Sequence, residues 1–137
     1  MRLGWLLAST LVTTVMLVVL NAVLFPLVFP MGLAEKFVNA REPQLMAYHL
    51  VGFVATGGLL SLIVAFSDTT GAKDTLMLGA MLGFLVSLPE QLHLYAMTTA
   101  PATQQFLPVL WTVCTWSLVV GAAGWVVARG HHDPLME

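Results

Sequence analysis

Four residues with chemically active side chains stand inside otherwise apolar stretches: Asn21, His49, Glu90 and His93. Glu90 and His93 are three apart in "PEQLH", a spacing that puts a carboxyl and an imidazole on one face of a helix. Three kinds of chemistry could use such groups. A carboxyl within a membrane can exchange a proton against a substrate, with His49 or His93 as relay. Two histidines on neighbouring antiparallel helices, His49 and His93, can supply both axial ligands of haem b. Polar groups can also hydrogen-bond helices together, with no reaction at all. Glu-x-x-His is part of a di-iron ligand set, but that set needs a second such motif and two further carboxylates. The apolar stretches hold neither, so no metal site is assigned. Nucleophile elbow, phosphate loop and zinc motif are all missing, and nothing spaces Ser, His and acid as a triad, so the chain reads as a non-enzyme. Plainer uses exist for the same residues. His49 and His93, beside Tyr48 and Tyr95, suit a membrane interface, and Pro89 suits a helix kink.

The elements that must position these groups follow from composition. The 137 residues are 58% hydrophobic and 9% charged, against roughly one-quarter charged in a soluble domain. Residues 3–34, 43–67, 75–89 and 91–128 carry no charge at all. A soluble fold of this size could not bury that much apolar surface, so the expected solvent is lipid. The net charge of −2 says nothing about nucleic acid, but no basic run exists to hold a phosphate backbone, so no nucleic-acid partner is expected. Cys114 is alone, so no intrachain disulfide forms. A spanning helix needs about 20 apolar residues, and inside lipid only a helix or a closed barrel satisfies the backbone. The polarity does not alternate as a barrel requires. The expected fold is therefore all-α: one polytopic domain over 1–137, with four transmembrane helices at about 5–28, 46–66, 75–97 and 106–128 in a compact bundle, and a short polar tail at 130–137. The N-terminal run is longer than a signal-peptide core and has no small-x-small cleavage site, so it reads as a retained first span.

Pro26 and Pro30 close the first span, Pro43 precedes the second, and Pro108 fits the first turn of the fourth. "SDTTGAKD" (67–74) and "TTAPATQQ" (98–105) are turns. Leu33 and Phe37 could share a face of a short surface helix in the longest connection, 31–44, or that segment is a loop. Four spans put both termini on one side, with Arg2, Lys73 and Arg129 against Lys36 and Arg41 on the other. The positive-inside rule then makes the termini cytoplasmic.

Helices in lipid approach closely only where side chains are small. The expected packing residues are Gly52 in span two, Gly79, Gly83 and Ser87 in span three, and Ser117, Gly121 and Gly124 in span four, with spans two, three and four in tight mutual contact. Span one offers Thr10, Thr14 and Asn21 instead. At 1.5 Å per residue Glu90 lies roughly 10 Å below the surface opposite the termini, and Asn21, His49 and His93 fall near the same level.

The stretch 82–130, with "GFLVSLPEQLHLYAMTTAP" and then "GAAGWVVA", resembles small four-span bacterial membrane proteins of uncharacterised function. The resemblance implies a four-helix unit in the bacterial inner membrane and carries no catalytic residues with it. The resulting expectation is a small non-enzymatic integral membrane protein without a cofactor. It would be an accessory or structural subunit of a membrane complex or a homo-oligomer, whose partners are the lipid bilayer and another membrane protein or a second copy. The alternatives are a proton-coupled transporter using Glu90 and a haem b protein ligated by His49 and His93.

Overall fold

Long uncharged runs without the alternation of a barrel satisfy their own backbone as helices when water is absent. The computed structural model describes residues 3–28, 43–67, 71–97 and 102–131, and every regular element in them is helical. α1 (Leu3–Val18) runs through a π-helical turn (Val19–Leu24) into a short α2 (Phe25–Val28). α3 is Pro43–Phe66, α4 is Ala72–Met97 and α5 is Ala102–His131. The connection 31–42, with Leu33 and Phe37, and the tail 132–137 lie outside the described residues.

The π turn has a local cause. Pro26 has no amide hydrogen, so the carbonyl one turn before it has no donor, and the helix widens where its ladder is broken. At the other helix starts the sequence is followed more simply. Pro43 opens α3, where its missing hydrogen is harmless. α5 begins at Ala102, earlier than its apolar run, because Ala102, Gln104 and Gln105 are good helix formers. Pro108 is therefore inside the helix rather than in its first turn. Asp74 sits in the first turn of α4, where a negative charge favours the helix dipole.

Polarity is reversed relative to a water-soluble bundle. The outer face of α1 is the stripe Leu3, Leu7, Leu11, Val15, Val19 and Val23, all exposed, whereas Ser9 and Thr13 on its inner face are 0% exposed. Ser61, Thr75, Ser87 and Thr115 are likewise buried, while Phe66, Met81, Leu85, Leu110 and Trp125 are exposed. Such a surface suits lipid, where apolar side chains need no cover and hydroxyls gain from facing one another. Three segments, Leu3–Asn21, Ala72–His93 and Phe106–Gly130, are long and apolar enough to cross a membrane, and α3 contributes a shorter apolar stretch, Leu50–Phe66.

α5 is the hub. It packs along α4 and also against α1 and α3, and α1 packs on α3. Among the described residues α3 and α4, though consecutive, have no substantial contact. The expected mutual contact of spans two, three and four is therefore corrected: span four holds span three on one side and spans one and two on the other. The α1–α3, α4–α5 and α1–α5 pairs are antiparallel, so α3 runs parallel to α5. Ser9 meets Ser61 and Thr13 meets Gly57, Gly79 meets Trp116 while Gly124 meets Thr75, and Trp5 meets Gly130 at the termini. The first and last described turns, at Trp5 and Gly130, thus lie at one end of the bundle, with Arg129 stacked 3.7 Å from the centre of the Trp125 ring.

The core occupies only half the length. Leu17, Leu60, Val64, Val119, Val120, Ala123 and Val127 form it, all in the half nearest the termini. No described residue of α1 beyond Leu17 is buried, and none of α3 before Gly57. In α3 residues 47, 48, 50–52, 54 and 55 are exposed. Past the core two contacts continue among the described residues: the α4–α5 seam, to Ser87 and Val109, and the meeting of Asn21 and Phe25 with Trp111 of α5. The bundle is closed at the terminal half and open at the other.

Candidate functional site

All four polar residues singled out by the sequence fall in the open half, on two tiers. Asn21 sits in the π turn. Its amide donates to the Leu17 carbonyl at 3.0 Å, and its own carbonyl accepts the Trp111 indole N–H at 3.3 Å. The Trp111 ring lies 5.5 Å from Phe25, tilted at 56°. Asn21 therefore ties the widened part of helix one to α5 and satisfies a carbonyl at the entrance to the π turn. In α3 the register set by Ser9–Ser61 and Thr13–Gly57 puts position 49 level with Asn21. The His49 side chain itself lies outside the described residues.

Glu90 and His93 belong to the second tier. Along the α4–α5 seam Gly79 faces Trp116 and Gly83 faces Thr112, so Trp111 is level with residues 84–85. At 1.5 Å per residue, Glu90 stands about 8 Å and His93 about 13 Å further toward the open end. The expectation of one common level is corrected accordingly. Depth counted from each helix end ignores how far each helix extends past its neighbours. Both residues are exposed, and neither has a hydrogen-bonding or ionic partner among the described residues. Their direction is informative. Leu78 and Leu82 of α4 pack on the core. Four-residue steps carry the same flank through Val86 to Glu90, and His93 follows one turn later. Glu90 and His93 thus lie on the continuation of the core-facing flank, at the level where no core covers it. Ser87, on the neighbouring face, is buried against α5 and donates to the Gly83 carbonyl at 2.6 Å.

The haem arrangement needs two imidazoles facing each other across adjacent helices. His49 and His93 are carried by α3 and α4, which do not pack on each other, and their positions are on different tiers. No group of three or more His, Cys, Asp or Glu that could hold a metal ion occurs among the described residues.

The expected packing residues divide. A Cβ on Gly79 would come within 2.3 Å of the Trp116 carbonyl and 2.7 Å of Ser117 Cα, and one on Gly83 within 2.9 Å of the Thr112 carbonyl. Gly121 abuts Leu76, Gly124 abuts Thr75, and the Ser117 hydroxyl donates to the Leu76 carbonyl at 2.8 Å. Gly52 is different: it is exposed, and a Cβ there would meet nothing within 4 Å.

Sequence reasoning did not single out the hydroxyl cluster between α1 and α3. Ser9 donates to Ser61 at 2.9 Å, and Thr13 Oγ1 lies within hydrogen-bonding reach of the Ser9, Thr10 and Gly57 carbonyls. Beside it the buried Thr14 hydroxyl has no partner. The four-residue spacing of Ser9 and Thr13, set against Ser61 and Gly57 of α3, was the available signal.

No protein-family model, curated protein or solved structure matches the chain.

Proposed function

We propose that the chain is a non-enzymatic integral membrane protein of four spans, built to be one component of a larger membrane assembly rather than a self-sufficient unit. The observation that carries this reading is the half-open bundle. The inner flank of α4 and most of the first half of α3 are uncovered, while the terminal half is fully packed. An uncovered carboxyl at membrane depth is unfavourable, by about 2.5–3.5 kcal/mol for a central charged residue on insertion scales, and groups of this kind normally face protein or water. Glu90 lies on such an uncovered flank. α3, whose apolar stretch is shorter, is read as the fourth span because it runs antiparallel beside α1. The lysine and arginine positions favour cytoplasmic termini, and the resemblance of 82–130 to small bacterial membrane proteins supports an inner membrane. The test is the mass of the particle extracted from membranes into polymer-bounded lipid discs. More than one polypeptide per disc is expected. A population of discs each holding one chain and nothing else would overturn the reading.

A second reading, proton-coupled transport through Glu90, draws on the same geometry, since the carboxyl is exposed at the open end. It requires proton flux in sealed vesicles that disappears in Glu90→Gln.

A further inference from the structure

We infer that the open half is covered by a second copy of this chain, joined through the α3–α4 side, with Glu90 of each copy paired to His93 of the other. The inference rests on the reading of the chain as a membrane component and names its partner.

Three observations converge on a second copy. The first is the opening itself. α4, α5, α1 and α3 pack in that order, and the gap between α3 and α4 leaves the inner flank of α4 accessible from the side. The second is charge complementarity. The uncovered flank of α4 carries an acid and a base, Glu90 and His93, neither with a partner among the described residues. Two copies inserted in the same direction are related by a two-fold axis along the membrane normal, and such an interface is isologous. Equal residues then stand at equal height, so Glu90 and His93 of the partner differ by three residues, about 4.5 Å. Side chains on a helix all lean toward its N-terminus, so both groups shift the same way and the offset stays near one helical turn, which the two flexible side chains have to span. One flank thus supplies both halves of two identical Glu–His pairs. An unrelated partner would have to bring a matching base and acid at the same two depths.

The third observation is Gly52. It is exposed with nothing within 4 Å, and Ala55, one turn on, is exposed as well. Every interhelical glycine contact in this protein puts backbone or side chain against the glycine, as at Gly57, Gly79, Gly83 and Gly124. Gly52 and Ala55 form a comparable shallow surface that no helix of the same copy uses. A helix of the second copy can approach closely there.

The test counts chains in lipid. Full-length protein, labelled at its C-terminus, is reconstituted at a series of protein-to-lipid ratios into vesicles of phosphatidylethanolamine and phosphatidylglycerol. Stoichiometry is then read by single-molecule photobleaching. The expected result is a dimer whose midpoint shifts about tenfold toward monomer in Glu90→Gln and in His93→Gln. That shift is the size expected for the two intramembrane polar pairs that each change removes. The exchange variant Glu90→His with His93→Glu restores the midpoint to within about threefold, because it recreates both pairs. A monomer at every ratio would overturn the dimer. A dimer unmoved by the single changes, or not restored by the exchange, would overturn the Glu90–His93 pairing. The parent reading fails separately, in the extraction experiment: a monomer here that co-purifies with a different membrane protein there overturns only the second copy.

Discussion

Gly79→Ala tests whether α4 and α5 are held as closely as their backbones indicate. A methyl group added at Gly79 meets the Trp116 carbonyl at 2.3 Å, Ser117 Cα at 2.7 Å and the Trp116 carbonyl carbon at 2.8 Å. All three are backbone atoms, so no side chain can swing aside. The helices must separate by on the order of 1 Å, which is an overpacking change costing about 1–3 kcal/mol. Separation also stretches the 2.8 Å bond from Ser117 to the Leu76 carbonyl, a further fraction of a kcal/mol at the average of about 0.6 kcal/mol for polar contacts between membrane helices. Alanine is the better helix former by about 1 kcal/mol, which offsets part of the loss. The net expectation is destabilisation of about 1–2 kcal/mol. Gly52→Ala is the internal control. It gains the same propensity and meets nothing, so it should be neutral or slightly stabilising. Both variants and the parent are unfolded in mixed micelles by increasing dodecyl sulfate and followed by tryptophan fluorescence. Gly79→Ala proving as stable as Gly52→Ala would refute the close α4–α5 seam.

Other expectations follow from the α1–α3 interface and the open end. Ser61→Ala should lose about 0.6–2 kcal/mol in the same unfolding assay. Ser9→Ala should add little once Ser61 is gone, since the two hydroxyls bond each other at 2.9 Å. Thr14→Val should be neutral or stabilising, because it removes a buried hydroxyl without a partner and keeps the side chain's shape; a loss above about 1 kcal/mol would show that the hydroxyl is bonded after all. Asn21→Leu should cost about 1–2 kcal/mol and alter Trp111 emission, since it leaves both the Trp111 indole N–H and the Leu17 carbonyl without their side-chain partner. The purified protein, expressed with haem supplied, should show no Soret band, given how α3 and α4 are placed; a band lost in His49→Ala and His93→Ala would reverse that view.

The helices were legible because charge is so scarce. The uncharged runs are largely helical among the described residues, although α4 continues through Glu90 and the run 91–128 is shared by α4 and α5, and the ends differed by a few residues where Ala and Gln extend helix formation beyond the apolar stretch, as at Ala102. Gly79, Gly83, Gly121 and Gly124 were legible for a steric reason, since regularly spaced small residues are what lets two helix backbones touch. Which helices touch was not. The small residues of α3 and α4 argued for contact between them, but the choice depends on how α5 fits both neighbours at once. Gly52 looked like any other packing glycine because spacing does not say which face of a helix is covered. The two tiers of the polar region escaped for the same reason. Asn21 and Glu90 are each a few residues from a helix end, but only the interhelical register shows that one is tied to Trp111 and the other stands beyond it. The hydroxyls of Ser9, Thr13 and Ser61 drew no notice as a group because they lie in separate spans, and their value comes from meeting in a dry interior.

The central claim is an even number of spans in a bundle whose two chain ends share one side, and topology mapping tests it most directly. A reporter active only in the cytoplasm is fused in separate experiments to the N-terminus, the C-terminus, residues 68–70 and residues 31–42, and a reporter active only outside is fused to the same points. Four spans predict that the two termini and 68–70 report from one side and 31–42 from the other. Termini on opposite sides would mean that α3 does not cross. That result would contradict both the four-span account and the meeting of Trp5 with Gly130.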